Sequence, residues 1–231
     1  MIRNNTNQSI DCIGIIMDGN RRFAELWNLP IYEGHRKGYD KLTEVVSWAR
    51  NAKVPHLVVY AFSTENWNRS KKEVGYLMKL FRFILDHEAQ KMVEERVRVR
   101  FVGERNHFSK DIQEGMIRVE EVTGKDYEIT LHIAVSYGGR AEILSATNAL
   151  IFENSGMVSE EDFSKKLWTK GIPDPDIIIR TGGEKRLSGF LSWQSIYSEL
   201  FFSDTLWPDF SQKEFETILA EFNLRERRYG E

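Results

Sequence analysis

The chain has 231 residues, of which 41% are hydrophobic and 29% charged, and its formal net charge is -3. This composition is typical of a globular protein with one sizeable core, and a single domain over residues 1–231 is the simplest prediction. The charge argues against a protein that wraps nucleic acid, and the lone Cys12 excludes an intrachain disulfide framework or a Cys-rich zinc module. Because no apolar run approaches the roughly 18 residues of a spanning helix, we expect a cytoplasmic protein with peripheral membrane contact at most.

The first half of the chain alternates strand and helix signals. An apolar run begins at Cys12 and stops abruptly at Asp18-Gly-Asn-Arg-Arg22, which is typical of a buried strand followed by a turn. Periodicity then predicts a helix over 35–52, a strand over 56–62, a long helix over 74–95 and a strand near a sheet edge over 96–102.

The same alternation continues to the end of the chain. Helices are predicted over 112–122, 141–153 and 212–222, with a weaker one over 160–168, and strands over 129–135, 176–179 and 199–202. The first 11 residues are expected to be flexible, and 223–231 form a C-terminal tail. These elements predict one α/β domain with a central, mostly parallel six-stranded sheet flanked by helices.

Four predicted strands end in loops that carry arginine, amide or hydroxyl groups. Parallel strands bring these ends to one edge of the sheet, where ligands bind in open α/β folds. The charged and amide groups concerned are Asp18 with Arg22, Asn66 with Arg69, Arg140, and Arg180 with Arg186. Arginine forks and backbone donors suit phosphate oxygens, and the chain has no nucleophile elbow, dinucleotide fingerprint or Walker sequence. A diphosphate site is therefore predicted, with Asp18 as a possible Mg²⁺ ligand.

Aromatic residues lie close to these polar loops in the sequence. Trp67, Phe190, Trp193 and Tyr197 could line an apolar channel beside the diphosphate, or could serve as ordinary core and lid packing. Spacing alone leaves both interpretations open.

Six segments taken in order resemble cis-prenyltransferases of the undecaprenyl diphosphate synthase type, and the likeness runs from about residue 12 to the C-terminus. They are Ile16-Met-Asp-Gly-Asn-Arg-Arg-Phe-Ala24, Gly34-His-Arg-Lys-Gly38, Tyr60-Ala-Phe-Ser-Thr-Glu-Asn-Trp-Asn-Arg69, Tyr137-Gly-Gly-Arg140, Ile179-Arg-Thr-Gly-Gly-Glu-Lys-Arg-Leu-Ser188 and Leu206-Trp-Pro-Asp-Phe210. The resemblance implies a homodimer and a hydrophobic tunnel for the growing chain. It also implies Mg²⁺-dependent condensation of isopentenyl diphosphate with an allylic diphosphate (farnesyl, geranyl or dimethylallyl) to form cis double bonds.

The resemblance also implies roles for matching residues. Asp18 would handle the Mg²⁺, while the allylic diphosphate would be held by Gly19, Asn20, Arg22 and His35. Isopentenyl diphosphate would be bound by Arg180, Arg186 and Ser188, with Glu199 on its metal side. A mobile loop would carry Ser63, Asn66, Trp67 and Arg69, with Ser63 and Asn66 directed toward the reacting carbon. Arg228 and Gly230 form an Arg-x-Gly ending that reaches the isopentenyl site across the dimer in the family.

The chain departs from the family pattern at four positions. Ile31 replaces an arginine of the allylic site, Ser136 replaces an asparagine, and Phe23 and Arg21 replace the usual Trp and Gly of the first motif. We count Arg21 and Phe23 among the substrate-binding residues, and Arg21 is a candidate replacement for the missing charge at Ile31.

Three functional hypotheses follow from this pattern. The leading one is a regular cis-polyprenyl diphosphate synthase that makes a precursor of a carrier lipid. The second is a diverged enzyme that uses a short allylic substrate or joins isoprene units irregularly. The third is a non-catalytic scaffold subunit of a heteromeric prenyltransferase.

Overall fold

A computed structural model describes residues 9–153 and 156–225 and shows one domain built on a six-stranded sheet. The strands are β1 Cys12–Ile16, β2 His56–Ser63, β3 Val97–Val102, β4 Ile129–Tyr137, β5 Ile177–Arg180 and β6 Glu199–Phe202. Their order is β3-β4-β2-β1-β5-β6, and every pair is parallel. The predicted α/β class and six strands are confirmed, and the sheet is wholly rather than mostly parallel.

Eight α-helices flank the sheet in the described part of the chain. They are α1 Asn20–Leu26, α2 Ile31–Asn51, α3 Lys71–His87, α4 Ala89–Glu94, α5 Lys110–Val122, α6 Gly139–Phe152, α7 Glu160–Ser164 and α8 Gln212–Leu224. The single helix predicted over 74–95 is wrong, because α3 ends at His87 and α4 starts after Glu88. The weak helix predicted over 160–168 stops at Ser164.

The sheet is buried on both faces, which explains the nearly continuous apolar strands. One face packs Ile13, Leu57 and Val99 against a large cluster that includes side chains of α2, α5 and α8. The other face packs residues such as Val58 against the segment around Phe190. β3 lies at the edge, as its alternation of arginine with apolar residues predicts.

Glycines allow the first two helices to approach each other. A Cβ atom on Gly34 would lie 2.2 Å from the backbone oxygen of Asn20, and one on Gly38 would lie 2.2 Å from its side-chain Oδ1. Gly19, which precedes α1, has a φ of 117°, a left-handed conformation that favours glycine. These glycines place Asn20 and its arginine neighbours beside the carboxyl end of β1.

The predicted sequence features at the termini lie mostly outside the described residues. This applies to Arg228, Gly230 and most of the N-terminal segment. Within residues 9–153 and 156–225, none of the helices has the length and apolar character needed to cross a membrane.

Candidate active site

Asp18 lies two residues past β1 and is held between two arginines. Its Oδ2 accepts a hydrogen bond from Arg180 Nη2 at 2.9 Å, and its Oδ1 accepts one from Arg22 Nη2 at 3.1 Å. Arg22 Nη1 also donates to the carbonyl of Gly182 at 2.7 Å. Gly182 has a φ of 82°, and a Cβ atom there would lie 2.5 Å from the Arg22 guanidinium. The left-handed φ of Gly182 therefore favours glycine in the turn after β5.

Arg180 is the last residue of β5 and is almost wholly buried, with its side chain 5% exposed. Its Nη1 donates to Ser188 Oγ at 2.9 Å and to the carbonyl of Arg186. Asp18, Arg180 and Ser188 thus form one hydrogen-bonded set, although they lie far apart in sequence.

A polar cavity of about 770 Å³ opens at this edge of the sheet. It collects side chains from the ends of β1, β2 and β5 and from the start of α6. Eight of the site residues predicted from the sequence line this cavity: Asp18, Asn20, His35, Ser63, Asn66, Arg69, Arg180 and Ser188. The carboxyl ends of the four strands therefore do meet, as their parallel arrangement predicts.

The loop after β2 forms a short 3₁₀-helix over Thr64–Asn68. Asn66 Oδ1 accepts a hydrogen bond from the backbone N–H of Ser63 at 3.0 Å, so the two predicted catalytic residues brace each other. Trp67 Nε1 donates to Ser136 Oγ at 2.9 Å, and its ring packs edge-on against Phe62. Trp67 therefore anchors this loop and does not line the polar cavity.

Glu73 on α3 is a site residue that sequence reasoning missed. Its carboxylate accepts from Arg69 Nη1 at 3.0 Å and lies 3.8 Å from both Arg21 Nη1 and His35 Nε2. In sequence, Ser70 followed three residues later by Glu73 indicates only a helix N-cap, and Ser70 Oγ does accept from the Glu73 N–H. No pattern in the chain marks the carboxylate as the link between three basic side chains.

His35 lies on α2 and is partly buried, with its side chain 11% exposed. Burial lowers the pKa of His35 to about 4, with the Arg69 charge contributing in the same direction. The ring is therefore neutral at pH 7, and its buried Nε2 has no hydrogen-bond partner. Asn20 Oδ1 is buried and unpartnered as well. Both residues line the polar cavity, where a bound group could satisfy them.

A second cavity, of about 140 Å³, continues from the polar one into the core. The two share Met17, Asn20, His35, Ala61 and Leu77 as lining residues. Beyond these the wall is apolar and comes largely from α2, α3 and the strands, with residues such as Leu42, Met78, Phe81, Ile84 and Val135.

Of the two interpretations left open for Trp67, Phe190, Trp193 and Tyr197, the structure favours packing, because none of these four side chains lines the apolar cavity. Phe190 is fully buried on the opposite face of the sheet, where it stacks on Tyr60. Trp193 packs against Phe163, and Tyr197 is largely exposed. Helical residues of α2 and α3, which read as ordinary core positions in the sequence, form the wall instead.

Seven of the predicted site residues that the structure describes do not line the polar cavity. Gly19, Arg21 and Arg22 line a neighbouring cavity, the rim cavity, together with Asp18 and His35.

The other four predicted site residues line neither of these two cavities. Phe23 packs against Trp27 on α1, Trp67 lies behind its loop, and the Arg186 side chain is exposed and pairs with Glu184. Glu199 is the first residue of β6 and lies opposite Ile177, at the amino end of the strands, where it pairs with Arg225. Asp18 follows the carboxyl ends, so the structure does not bring Glu199 to Asp18 of the same chain.

Fold and site together define a parallel α/β protein with an arginine-rich cavity that leads into an apolar one. The family model described as "Putative undecaprenyl diphosphate synthase" matches residues 16–230. Curated relatives include an isoprenyl transferase of Fusobacterium nucleatum, 44% identical over 218 residues, and one of Aquifex pyrophilus, also 44% identical; each alignment covers 94% of this chain and 94% of the relative.

Two solved structures share the fold. The crystal structure of lavandulyl diphosphate synthase from Lavandula x intermedia, in complex with dimethylallyl diphosphate, superposes with a TM-score of 0.91 at 29% identity and covers 96% of this chain and 98% of that one. A "probable undecaprenyl diphosphate synthase" of Campylobacter jejuni gives 0.82 at 32% identity, with 97% and 100% covered. The chain belongs to the undecaprenyl diphosphate synthase family. It is a prenyltransferase of the prenyl diphosphate synthase type.

Proposed function

We propose that this prenyltransferase condenses isopentenyl diphosphate with an allylic diphosphate (farnesyl, geranyl or dimethylallyl) into a cis-prenyl diphosphate that serves as a carrier-lipid precursor. The observation that carries the proposal is the direct continuity of the arginine-rich cavity with the apolar one through five shared lining residues. A molecule with an anionic head and an isoprenoid tail matches both parts. Dimethylallyl diphosphate, named in the lavender structure, belongs to this chemical class.

The residues of the polar cavity suggest how the two diphosphates are held. We assign the allylic diphosphate to the Gly19–Asn20 backbone, Arg22 and His35, which surround the start of α1. Because His35 is neutral, it contributes a hydrogen bond and no charge. We assign isopentenyl diphosphate to Arg180 and Ser188, with Arg186 approaching from the rim. Because the two anion sites are adjacent, they would hold the alkene of isopentenyl diphosphate close to the reacting carbon of the allylic diphosphate.

Breaking the allylic C–O bond places negative charge on the leaving diphosphate and positive charge on carbon. Guanidinium and amide donors directed at the leaving oxygens lower that barrier. The apolar cavity excludes water, which would otherwise capture the cation. We propose that this cavity is the inner end of the tunnel for the growing chain, and that Ser63 and Asn66 contact the reacting end.

The donor set fits a Mg²⁺ ion that arrives with the diphosphate. The described residues contain no group of three or more His, Cys, Asp or Glu side chains able to hold a metal alone. Asp18 is 30% exposed and lines the polar cavity, and Mg²⁺ commonly uses one or two carboxylates together with substrate phosphates and water. Asp18 would hold this ion, which would supply charge neutralisation of the leaving group. Glu199 of the same chain is not part of this proposal.

A homodimer is supported by exposed apolar side chains on α6. The exposed fractions of Leu144, Ile151 and Phe152 are 63%, 71% and 92%. Large apolar side chains grouped on one exposed helix are typical of a surface that contacts another protein. In such a dimer the partner's Arg-x-Gly ending would reach the isopentenyl site. A Phe152→Glu variant should shift the protein toward monomer in light scattering, whereas a dimer that persists at low micromolar concentration would remove α6 from the interface.

The decisive assay supplies radiolabelled isopentenyl diphosphate with dimethylallyl, geranyl or farnesyl diphosphate and measures product length and double-bond geometry. Cis-elongated products with Mg²⁺ are expected. Irregularly joined products would favour the diverged enzyme, and no turnover by a folded protein with any acceptor would favour the scaffold. Cell fractionation tests the expected cytoplasmic location and any peripheral membrane contact.

A further inference from the structure

A small basic cavity lies on the sheet face opposite the apolar cavity, toward the amino ends of the strands. It has a volume of about 90 Å³ and is lined by side chains of β2, β3 and β4 together with the turn that contains Trp168 and Lys170. Arg98, Thr130 and His56 occupy one row across three strands, and Arg100 and His132 occupy the next. None of these residues lines the polar cavity, which we assign to the diphosphates and call the diphosphate cavity from here on.

Two histidines form the floor of this basic cavity. His56 Nδ1 and His132 Nε2 are 3.1 Å apart, and the rings stack. His132 is 5% exposed, and its Nδ1 is buried without a partner. If His56 donates to His132 Nε2, the neutral His132 ring carries its proton on Nδ1. The floor then presents an unsatisfied donor.

The walls of the cavity are positively charged. Arg98 Nη1 donates to the Tyr127 hydroxyl at 2.8 Å, but its Nε is buried without a partner. Within residues 9–153 and 156–225, no carboxylate lies within 4.0 Å of the Arg98 or Lys170 cation, and Arg100 Nε is 3.9 Å from Glu120. The carboxylate of Asp11, the residue before β1, raises the pKa of His56 and so opposes the effect of burial.

Both imidazoles are neutral at pH 7. Burial is the main cause, and it lowers the pKa of His132 to about 3, with His56 and both arginines acting in the same direction. Burial also lowers the pKa of His56. The positive potential therefore comes from the arginines and Lys170. His132 Nδ1 adds a hydrogen-bond donor in the tautomer in which His56 donates to His132 Nε2.

We propose that this cavity binds a phosphate group, held by Arg98, Lys170 and His132. A phosphate brings the acceptors that Arg98 Nε and His132 Nδ1 lack, and it neutralises cations that have no carboxylate partner here. The mouth, at Lys170 and Gly171, is exposed, so a small anion can enter from solvent. The site is separate from the diphosphate cavity and does not depend on the proposed reaction.

The test uses the imidazole NMR signals of the full chain, which has five histidines. Inorganic phosphate is titrated against sodium chloride of equal ionic strength, and methyl phosphate is titrated in parallel. We expect saturable shifts of His56 and His132, with exposed His87 unmoved and His35 reporting any occupancy of the diphosphate cavity. Equal binding of methyl phosphate would mean that the site accepts a phosphate monoester, and weaker binding would mean that it prefers the free ion.

Arg98→Gln should weaken phosphate binding at His132 at least tenfold. Arg96→Gln is the matched control, because Arg96 lies two residues earlier on the surface and pairs with Glu128. If Arg98→Gln fails to fold, Lys170→Gln at the exposed mouth takes its place. Shifts confined to His35, shifts no larger than chloride produces, or unchanged affinity in the cavity variants would overturn the proposal.

Discussion

Replacement of Asp18 tests stability and catalysis separately, because Asp18 pairs with the buried Arg180 and also lines the polar cavity. From the sequence, Asp18→Ala is expected to leave folding nearly normal. The structure predicts a measurable loss, since Arg180 is buried and its Nη2 would lose its 2.9 Å partner. Nη1 would keep Ser188 and the Arg186 carbonyl.

The size of the loss follows from these contacts. A hydrogen bond to a charged group contributes about 1.5–3 kcal/mol, and the partial exposure of Asp18 reduces this to about 1–2 kcal/mol. The melting temperature should fall by about 2–4 °C for each kcal/mol of stability lost in a chain of this size. Asp18→Asn keeps an acceptor for Arg180, so its stability should stay within about 1 kcal/mol of the parent.

Both variants should lose at least about a hundredfold in turnover, because neither can offer a carboxylate at the leaving group. Calorimetry and the radiolabel assay at saturating Mg²⁺ measure the two effects. An Asp18→Ala protein as stable as the parent would refute the role of the ion pair. An active Asp18→Asn protein would refute the role of the carboxylate.

Arg186, Ser136 and His35 can each be tested by a single substitution. Arg186→Ala should raise the KM for isopentenyl diphosphate at least tenfold without loss of stability, because the side chain is exposed; an unchanged KM would remove it from that site. Ser136→Ala should cost about 1–2 kcal/mol in chemical denaturation by depriving Trp67 of its acceptor, whereas Ser136→Asn should cost less. Burial lowers the pKa of His35 to about 4 in the folded protein, so the unfolded chain takes up the proton more readily. The free energy of unfolding is therefore highest above about pH 6.5 and falls by up to about 3 kcal/mol as the pH drops through 4. His35→Gln should flatten this pH dependence in melting curves.

Much of the fold could be predicted from the sequence because its signals are local. Apolar strands that end in glycine-containing loops indicate a parallel sheet. In such a sheet ligands bind at the edge formed by the carboxyl ends of the strands. The break at Glu88 was not predictable from periodicity, since α3 and α4 continue the same amphipathic pattern. Short α1 was also missed, because it begins after Gly19 without a side-chain cap.

The site was predicted less completely than the fold because its members act through contacts between distant segments. Glu73 looks like an N-cap partner in sequence, and only the packing of α3 beside α1 and α2 shows that it faces Arg21, His35 and Arg69. For Glu199 the motif match and the strand prediction point to different places. The strand predicted over 199–202 puts Glu199 at its amino end, where the structure has it, whereas the family motif alone assigns it to the metal side of the isopentenyl site.

Ile31 and Arg21 raise the question of how the allylic site keeps its charge without the family's arginine. Arg21 lies on α1, is half exposed and lines the rim cavity with Arg22 and His35. Its Nη1 lies 3.8 Å from the Glu73 carboxylate, which keeps it near the predicted diphosphate position. Arg21→Gly should weaken allylic diphosphate binding more than tenfold, the equivalent of about 1.4 kcal/mol, because a charged hydrogen bond contributes about 1.5–3 kcal/mol. Adding Ile31→Arg to that variant should restore part of the loss, since Ile31 begins α2 at a partly exposed position. Affinities of the parent, both single variants and the double variant form a complete cycle, and strict additivity would mean that the two positions do not share a diphosphate.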